Sequence, residues 1–134
     1  MPGRISTSAV HHVALTVSDV RRSQKFYTEV LNFQHVTDFG PRVLLHNGSF
    51  LLALTPPPDA EQAPANDRFN ENRIGLDHLS LGVASMADLQ AAVAALDAHG
   101  VAHGTINPLE PFGIAVLAFR DPDNIQLELT APLV

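Results

Sequence analysis

His11-His12-Val13-Ala14-Leu15-Thr16-Val17 returns, in kind, as Asp77-His78-Leu79-Ser80-Leu81-Gly82-Val83. Both stretches read x-His-apolar-small-Leu-small-Val, and the offset from His12 to His78 is 66 residues in a chain of 134. Self-similarity at such a spacing marks two copies of one structural unit. Within each stretch, large and small side chains alternate with the period of two expected of a half-buried strand.

The segments that follow also correspond. After Ser18-Asp19, Val20, Phe26, Val30 and Leu31 fall on one helical face. After Ser85, Leu89, Ala92, Val93 and Leu96 take the i, i+3, i+4, i+7 spacing of an amphipathic helix. Ser85 suits an N-cap, with Asp88 in the first turn. The helices should stop near Asn32 and near His99-Gly100, where Gly can take the left-handed position past a helix end. Paired β-type runs come next. Val43–His46 and Phe50–Leu54 flank the turn pair Asn47-Gly48, and Ile114–Phe119 and Ile125–Leu129 flank Asp121-Pro122-Asp123-Asn124. A weaker strand precedes each pair, over Gln34–Phe39 and Ala102–Ile106. The reading is an α+β chain of two βαβββ modules, residues 1–55 and 74–134. Residues 56–73 form a Pro-rich linker, either a functional loop or a tether.

Strand parity sorts the side chains by face. Val13, Leu15 and Val17 oppose His12, Ala14 and Thr16. Leu79, Leu81 and Val83 oppose His78, Ser80 and Gly82. Ile125, Leu127 and Leu129 oppose Gln126, Glu128 and Thr130. The bulky faces should meet the helices, leaving His12, His78 and Glu128 on faces that are small and polar. One strand histidine is ordinarily a hydrogen-bonded structural residue, and one carboxylate near a chain end is ordinarily solvated. Three such residues at repeated strand positions suggest more, because a carboxylate in a cavity is costly unless a cation or donor meets it. Two imidazoles and one carboxylate form a facial triad for a divalent metal with open positions.

Composition narrows the alternatives. With 46% hydrophobic and 16% charged residues, a sizeable core is expected. A net charge of -6 argues against nucleic acid as a partner. The absence of cysteine excludes disulfides, zinc–thiolate sites and a cysteine nucleophile, and fits a cytoplasmic protein. No apolar run approaches the roughly 20 residues that span a bilayer, and Met1–Ser8 lacks the apolar core of a signal peptide. No membrane partner is expected.

At His12–Val17, Gly75–Leu81 and Phe119–Leu129 the chain resembles the vicinal oxygen chelate superfamily, which includes glyoxalase I, extradiol dioxygenases, fosfomycin-resistance enzymes and bleomycin-resistance proteins. The Asp121-Pro122-Asp123 turn feeding the strand that carries Glu128 is the most specific part. The resemblance covers nearly the whole chain. It implies a curved, cup-like mixed sheet with helices outside, a homodimer, and metal ligands on the first and last strands of each module. His12, His78 and Glu128 match three of the four ligand places, and the fourth falls on Ala53. A three-ligand set is similar to that of extradiol and fosfomycin-modifying enzymes, and the vacancy departs from the glyoxalase I pattern. Yet no Lys or Arg follows Glu128, as the fosfomycin pattern wants, and the only Tyr, Tyr27, lies on a helix.

Function is therefore expected to be metal-dependent chemistry on a small-molecule substrate with vicinal oxygens, as a dioxygenase, lyase or isomerase. The ion is Fe, Mn, Ni or Zn, with no organic cofactor and no further catalytic side chain assigned. The rival is a metal-free antibiotic-binding protein of the bleomycin-resistance type. His35 and His46 are expected at the surface, with an approach to the cavity as the alternative; Glu71 and Arg73 are expected at the surface or in a dimer contact, with the cavity rim as the alternative. Leu44, Leu51, Phe112 and Leu117 are candidates for an apolar pocket.

Overall fold

A computed structural model describes residues 2–134. The described elements run β1 (His12–Thr16), α1 (Val20–Glu29), β2 (Gln34–Phe39), β3 (Arg42–His46), β4 (Leu51–Thr55), β5 (Leu79–Gly82), α2 (Met86–Ala98), β6 (Asn107–Leu109), β7 (Ile114–Arg120) and β8 (Gln126–Pro132). Contacts divide the chain into two compact units, residues 1–61 and 62–134. Each unit is one βαβββ module with an open four-stranded mixed sheet, in the order β1-β4-β3-β2 or β5-β8-β7-β6.

In the first unit β1 runs parallel to β4, while β3 is antiparallel to both β4 and β2. Leu15, Val43, Leu45, Leu52 and Leu54 are buried on the face that meets α1, which lies against β3 and β4. Asp19 caps α1 by accepting from the Arg22 N–H at 3.0 Å. The buried face of this helix centres on Ser23 and Tyr27, one position from the Phe26 face suggested by apolar spacing. Tyr27 is an amphipathic residue whose ring packs at right angles to Phe33, with centroids 6.0 Å apart. Asn32 takes the left-handed conformation (φ 58°) just past the helix end.

The second unit repeats the plan. β5 is parallel to β8, and β7 is antiparallel to β8 and β6. Ser85 caps α2 and Gly100 ends it with φ +68°. Leu89 and Leu96 are the buried residues of α2, which packs on β7 and β8 against Leu117, Phe119, Leu127 and Leu129. Leu117 is therefore core, fully buried opposite Leu129, and not a pocket residue.

The turns are longer than pairwise reading suggests. His46 pairs with Leu51, so four residues join β3 to β4, with Asn47 Oδ1 accepting from the Ser49 and Phe50 N–H groups. Arg120 pairs with Gln126, and Asp121 Oδ1 accepts from the Asp123 and Ile125 N–H groups to close that turn. The weak strand of the second half forms just past the expected segment, at Asn107–Leu109. Ala102–Ile106 contributes one isolated bridge, His103 to Phe119. No described helix is long and apolar enough to cross a membrane.

Candidate metal centre

Register fixes which residues share a face. In the first unit His12 pairs with Leu51 and Ala14 with Ala53. In the second, Ser80 pairs with Glu128 and Gly82 with Thr130. Ala14 and Ser80 hold the same place in the repeat, so Ala53 and Glu128 are equivalent positions. The place equivalent to Glu128 is thus occupied by a methyl group, and Ala53 is buried.

The polar face of the second unit gathers real donors. His78 immediately precedes β5 and does not lie within it. Its Nε2 stands 3.6 Å from Glu128 Oε1. Two ligands of one divalent ion, each at about 2.0–2.2 Å, sit about 2.8–3.8 Å apart for angles of about 90–120°. The pair therefore fits a shared ion without rearrangement. The same Glu128 oxygen also accepts a bond of 3.2 Å from the hydroxyl of Thr130, one pleat repeat along β8. Ser80 bonds to the Thr130 hydroxyl in turn.

Behind His78 lies a carboxylate. Asp77 Oδ1 is 2.7 Å from His78 Nδ1, which places a proton on Nδ1; in the neutral imidazole Nε2 then holds the lone pair, on the side of Glu128. A carboxylate on the far nitrogen is the usual support of a metal-binding imidazole. Gln126 Nε2 donates to the same Asp77 oxygen at 3.0 Å and to the Asp77 carbonyl at 3.1 Å. Arg120 reaches Gln126 Oε1 at 3.4 Å and grips Glu71 through two bonds of 2.8 and 2.9 Å. The Arg120 guanidinium holds the Glu71 carboxyl far below the usual carboxylate range, at about 2. Glu71 is thus a half-buried partner of β7 and not a surface charge. Segment 64–73 is tied down at the same turn. The Phe69 N–H donates to the Asp123 carbonyl, and Asn124 Nδ2 to the Phe69 carbonyl. With Arg120 and Asn124 it walls a polar groove of about 680 Å³.

His12 lies in the first unit, exposed, on the face expected from parity. Its Nδ1 is 2.9 Å from His11 Nδ1, and both residues are exposed. Among the described residues, neither unit gathers three or more His, Cys, Asp or Glu side chains into a metal-holding group. The other histidines have local roles. His46 Nδ1 accepts from the Gly48 N–H, and His35 pairs with Asp38 at 2.8 Å. His99 caps α2. Phe112 is exposed, whereas Leu44 and Leu51 share the face of His12 by pairing with Ala53 and His12.

Sequence reasoning missed Asp77, Gln126 and Arg120 as members of the site. The Gln126 and Arg120 contacts join residues 49 apart in the chain, which no periodicity reports. The available signal was the residue before each repeated histidine: Asp in one copy, His in the other.

Residues 9–129 match the family model described as the Glyoxalase/Bleomycin resistance protein/Dioxygenase superfamily. The chain belongs to this superfamily. It is 31% identical to the uncharacterized Escherichia coli (strain K12) protein YaeR over 128 residues, which cover 90% of this chain and 93% of YaeR. A glyoxylase/bleomycin resistance protein/dioxygenase domain from Frankia sp. EAN1pec shares its structure with a TM-score of 0.78 at 34% identity, covering 95% and 93% of the two chains. The Agrobacterium tumefaciens lactoylglutathione lyase shares the superfamily fold at 22% identity, with a TM-score of 0.74 over 93% and 94% of the chains.

Proposed function

We propose that this superfamily member is a metal-dependent enzyme acting on a small molecule with adjacent oxygen atoms, with His12, His78 and Glu128 as its protein ligands. The observation that carries this reading is the 3.6 Å approach of His78 Nε2 to Glu128 Oε1, with Asp77 fixing the imidazole from behind. Divalent metals are common in the superfamily, and this donor set suits Fe, Mn, Ni or Zn. When bound, the ion supplies Lewis acidity and, if it is iron, a place for oxygen.

The protein's own groups do the rest. Glu128 and two neutral imidazoles leave a divalent ion at formal charge +1, which favours a bidentate anionic substrate over a neutral one. Thr130 and Ser80 orient the Glu128 carboxylate. Ala53 leaves the fourth place without a donor, so more of the ion's coordination is open to substrate than in a four-ligand site. His12 is the third proposed ligand. A homodimer is part of the proposal, supported by the exposed Ile74 and Leu76 just ahead of His78. A cytoplasmic location rests on the cysteine-free sequence.

Elemental analysis of untagged protein, prepared without chelator and then incubated with each of the four ions, tests the reading. Close to one equivalent is expected, and Glu128→Ala should lose most of it. Less than about a tenth of an equivalent in the unaltered protein sinks the metal reading. That result favours a metal-free small-molecule binder, to which the methyl group at Ala53 already points. Full occupancy in Glu128→Ala sinks the ligand assignment.

A further inference from the structure

We propose that Gln126 is a positioning residue that, anchored by the Arg120–Glu71 pair, locks Asp77 onto His78 and so sets the tautomer and aim of that imidazole. The inference rests on the reading of His78 as a metal ligand for its purpose, though not for its geometry.

The contacts form one unbroken line from segment 62–73 to the imidazole. Glu71 accepts two bonds from Arg120, and Arg120 also donates to the Asn124 carbonyl at 3.2 Å, so the guanidinium is fixed in its plane. Arg120 has only donors, so the Gln126 atom facing it is the carbonyl oxygen. That choice turns the Gln126 amide nitrogen toward Asp77, where it meets both the side-chain oxygen and the main-chain carbonyl. Reversing the amide would set an oxygen against two acceptors on one side and N–H groups against a guanidinium on the other. Asp77 is largely exposed and, left alone, would sample several rotamers. The Gln126 amide selects the one that reaches His78 Nδ1. With Nδ1 protonated, only Nε2 can bind a cation, and Nε2 is the nitrogen that faces Glu128.

The first module lacks this device. Leu51 stands at the register place of Gln126, and His46 at that of Arg120. The residue before His12 is His11, which offers no carboxylate. The line is thus built only in the copy that carries Glu128, and it makes the 62–73 segment part of the site's support.

The test is a long-range ¹H–¹⁵N correlation spectrum of the metal-free protein near pH 8, with His78 assigned by the signals missing from His78→Gln. The unaltered protein should show His78 protonated at Nδ1. Gln126→Leu should move it to a mixture or to the Nε2–H form, with melting temperature held, and should weaken metal binding about 10- to 100-fold. Glu71→Gln should weaken metal binding by a smaller factor in the same direction. An Nε2–H tautomer in the unaltered protein overturns the proposal, and that spectrum decides even if Gln126→Leu does not fold. A folded Gln126→Leu with His78 unmoved overturns it as well. If the tautomer shifts as expected but the unaltered protein takes no metal, the positioning role stands and the metal reading alone falls.

Discussion

His103 is bracketed by acceptors: its Nδ1 lies 2.6 Å from the Gly104 carbonyl and its Nε2 2.7 Å from Asp97 Oδ1. A neutral imidazole can donate from only one nitrogen, so two acceptors favour the imidazolium. The Gly104 carbonyl first, and Asp97 second, raise its pKa above the ordinary 6.5. The folded value is raised, so the stabilisation is fully present below 6.5 and is lost as pH rises through the folded pKa. An NMR titration should place the His103 midpoint above 6.5, and His103→Gln should flatten the fall in melting temperature across that range. Glu71 works in the opposite sense. Its folded carboxyl titrates at about 2 against an ordinary 4.5, so its contribution is complete above 4.5 and fades as pH falls toward 2. Glu71→Gln should lower the melting temperature at neutral pH and shrink the acid-induced loss between those values. Glu71 was visible in the sequence only as one of several charges in a Pro-rich stretch. Its partner Arg120 is 49 residues away, and nothing local in either neighbourhood announces the pair.

At the scale of elements, parity was legible because successive side chains of a strand point to opposite faces. Along β8 Leu127, Leu129 and Ala131 are buried while Gln126, Glu128 and Thr130 are half-exposed. Leu127→Ala should therefore cost about 2–5 kcal/mol in denaturant unfolding, the range for an aliphatic side chain removed from a close-packed core. Ser85→Ala should cost about 1 kcal/mol, since the hydroxyl caps α2 through the Asp88 N–H. Helix ends were legible through Ser85 and Gly100 because capping is local chemistry. The face of α1 was not, because apolar counting ranks Phe26 above Tyr27 and gives Ser23 no weight, although both of the latter are fully buried. β6 was hidden for a different reason. Asn107-Pro108-Leu109 reads as a turn, yet a strand at the sheet edge tolerates a proline that donates no ladder bond.

For the whole molecule, duplication made the ligand candidates legible, because a histidine repeated at one register place is hard to assign to chance packing. What surrounds the candidates stayed hidden, since the two copies differ there. If a second copy completes the site, sedimentation should report twice the 14.4 kDa chain mass, and Ile74→Asp should shift the population to monomer. A monomer at all concentrations would sink the dimer proposal. The register itself has a genetic corollary. Leu51 stands where the other copy has Gln126, and Ala53 where it has Glu128. In the genetic code a single base can turn a leucine codon into glutamine, or an alanine codon into glutamate. The first module therefore lies a short mutational walk from the residue pattern of the second at these two places.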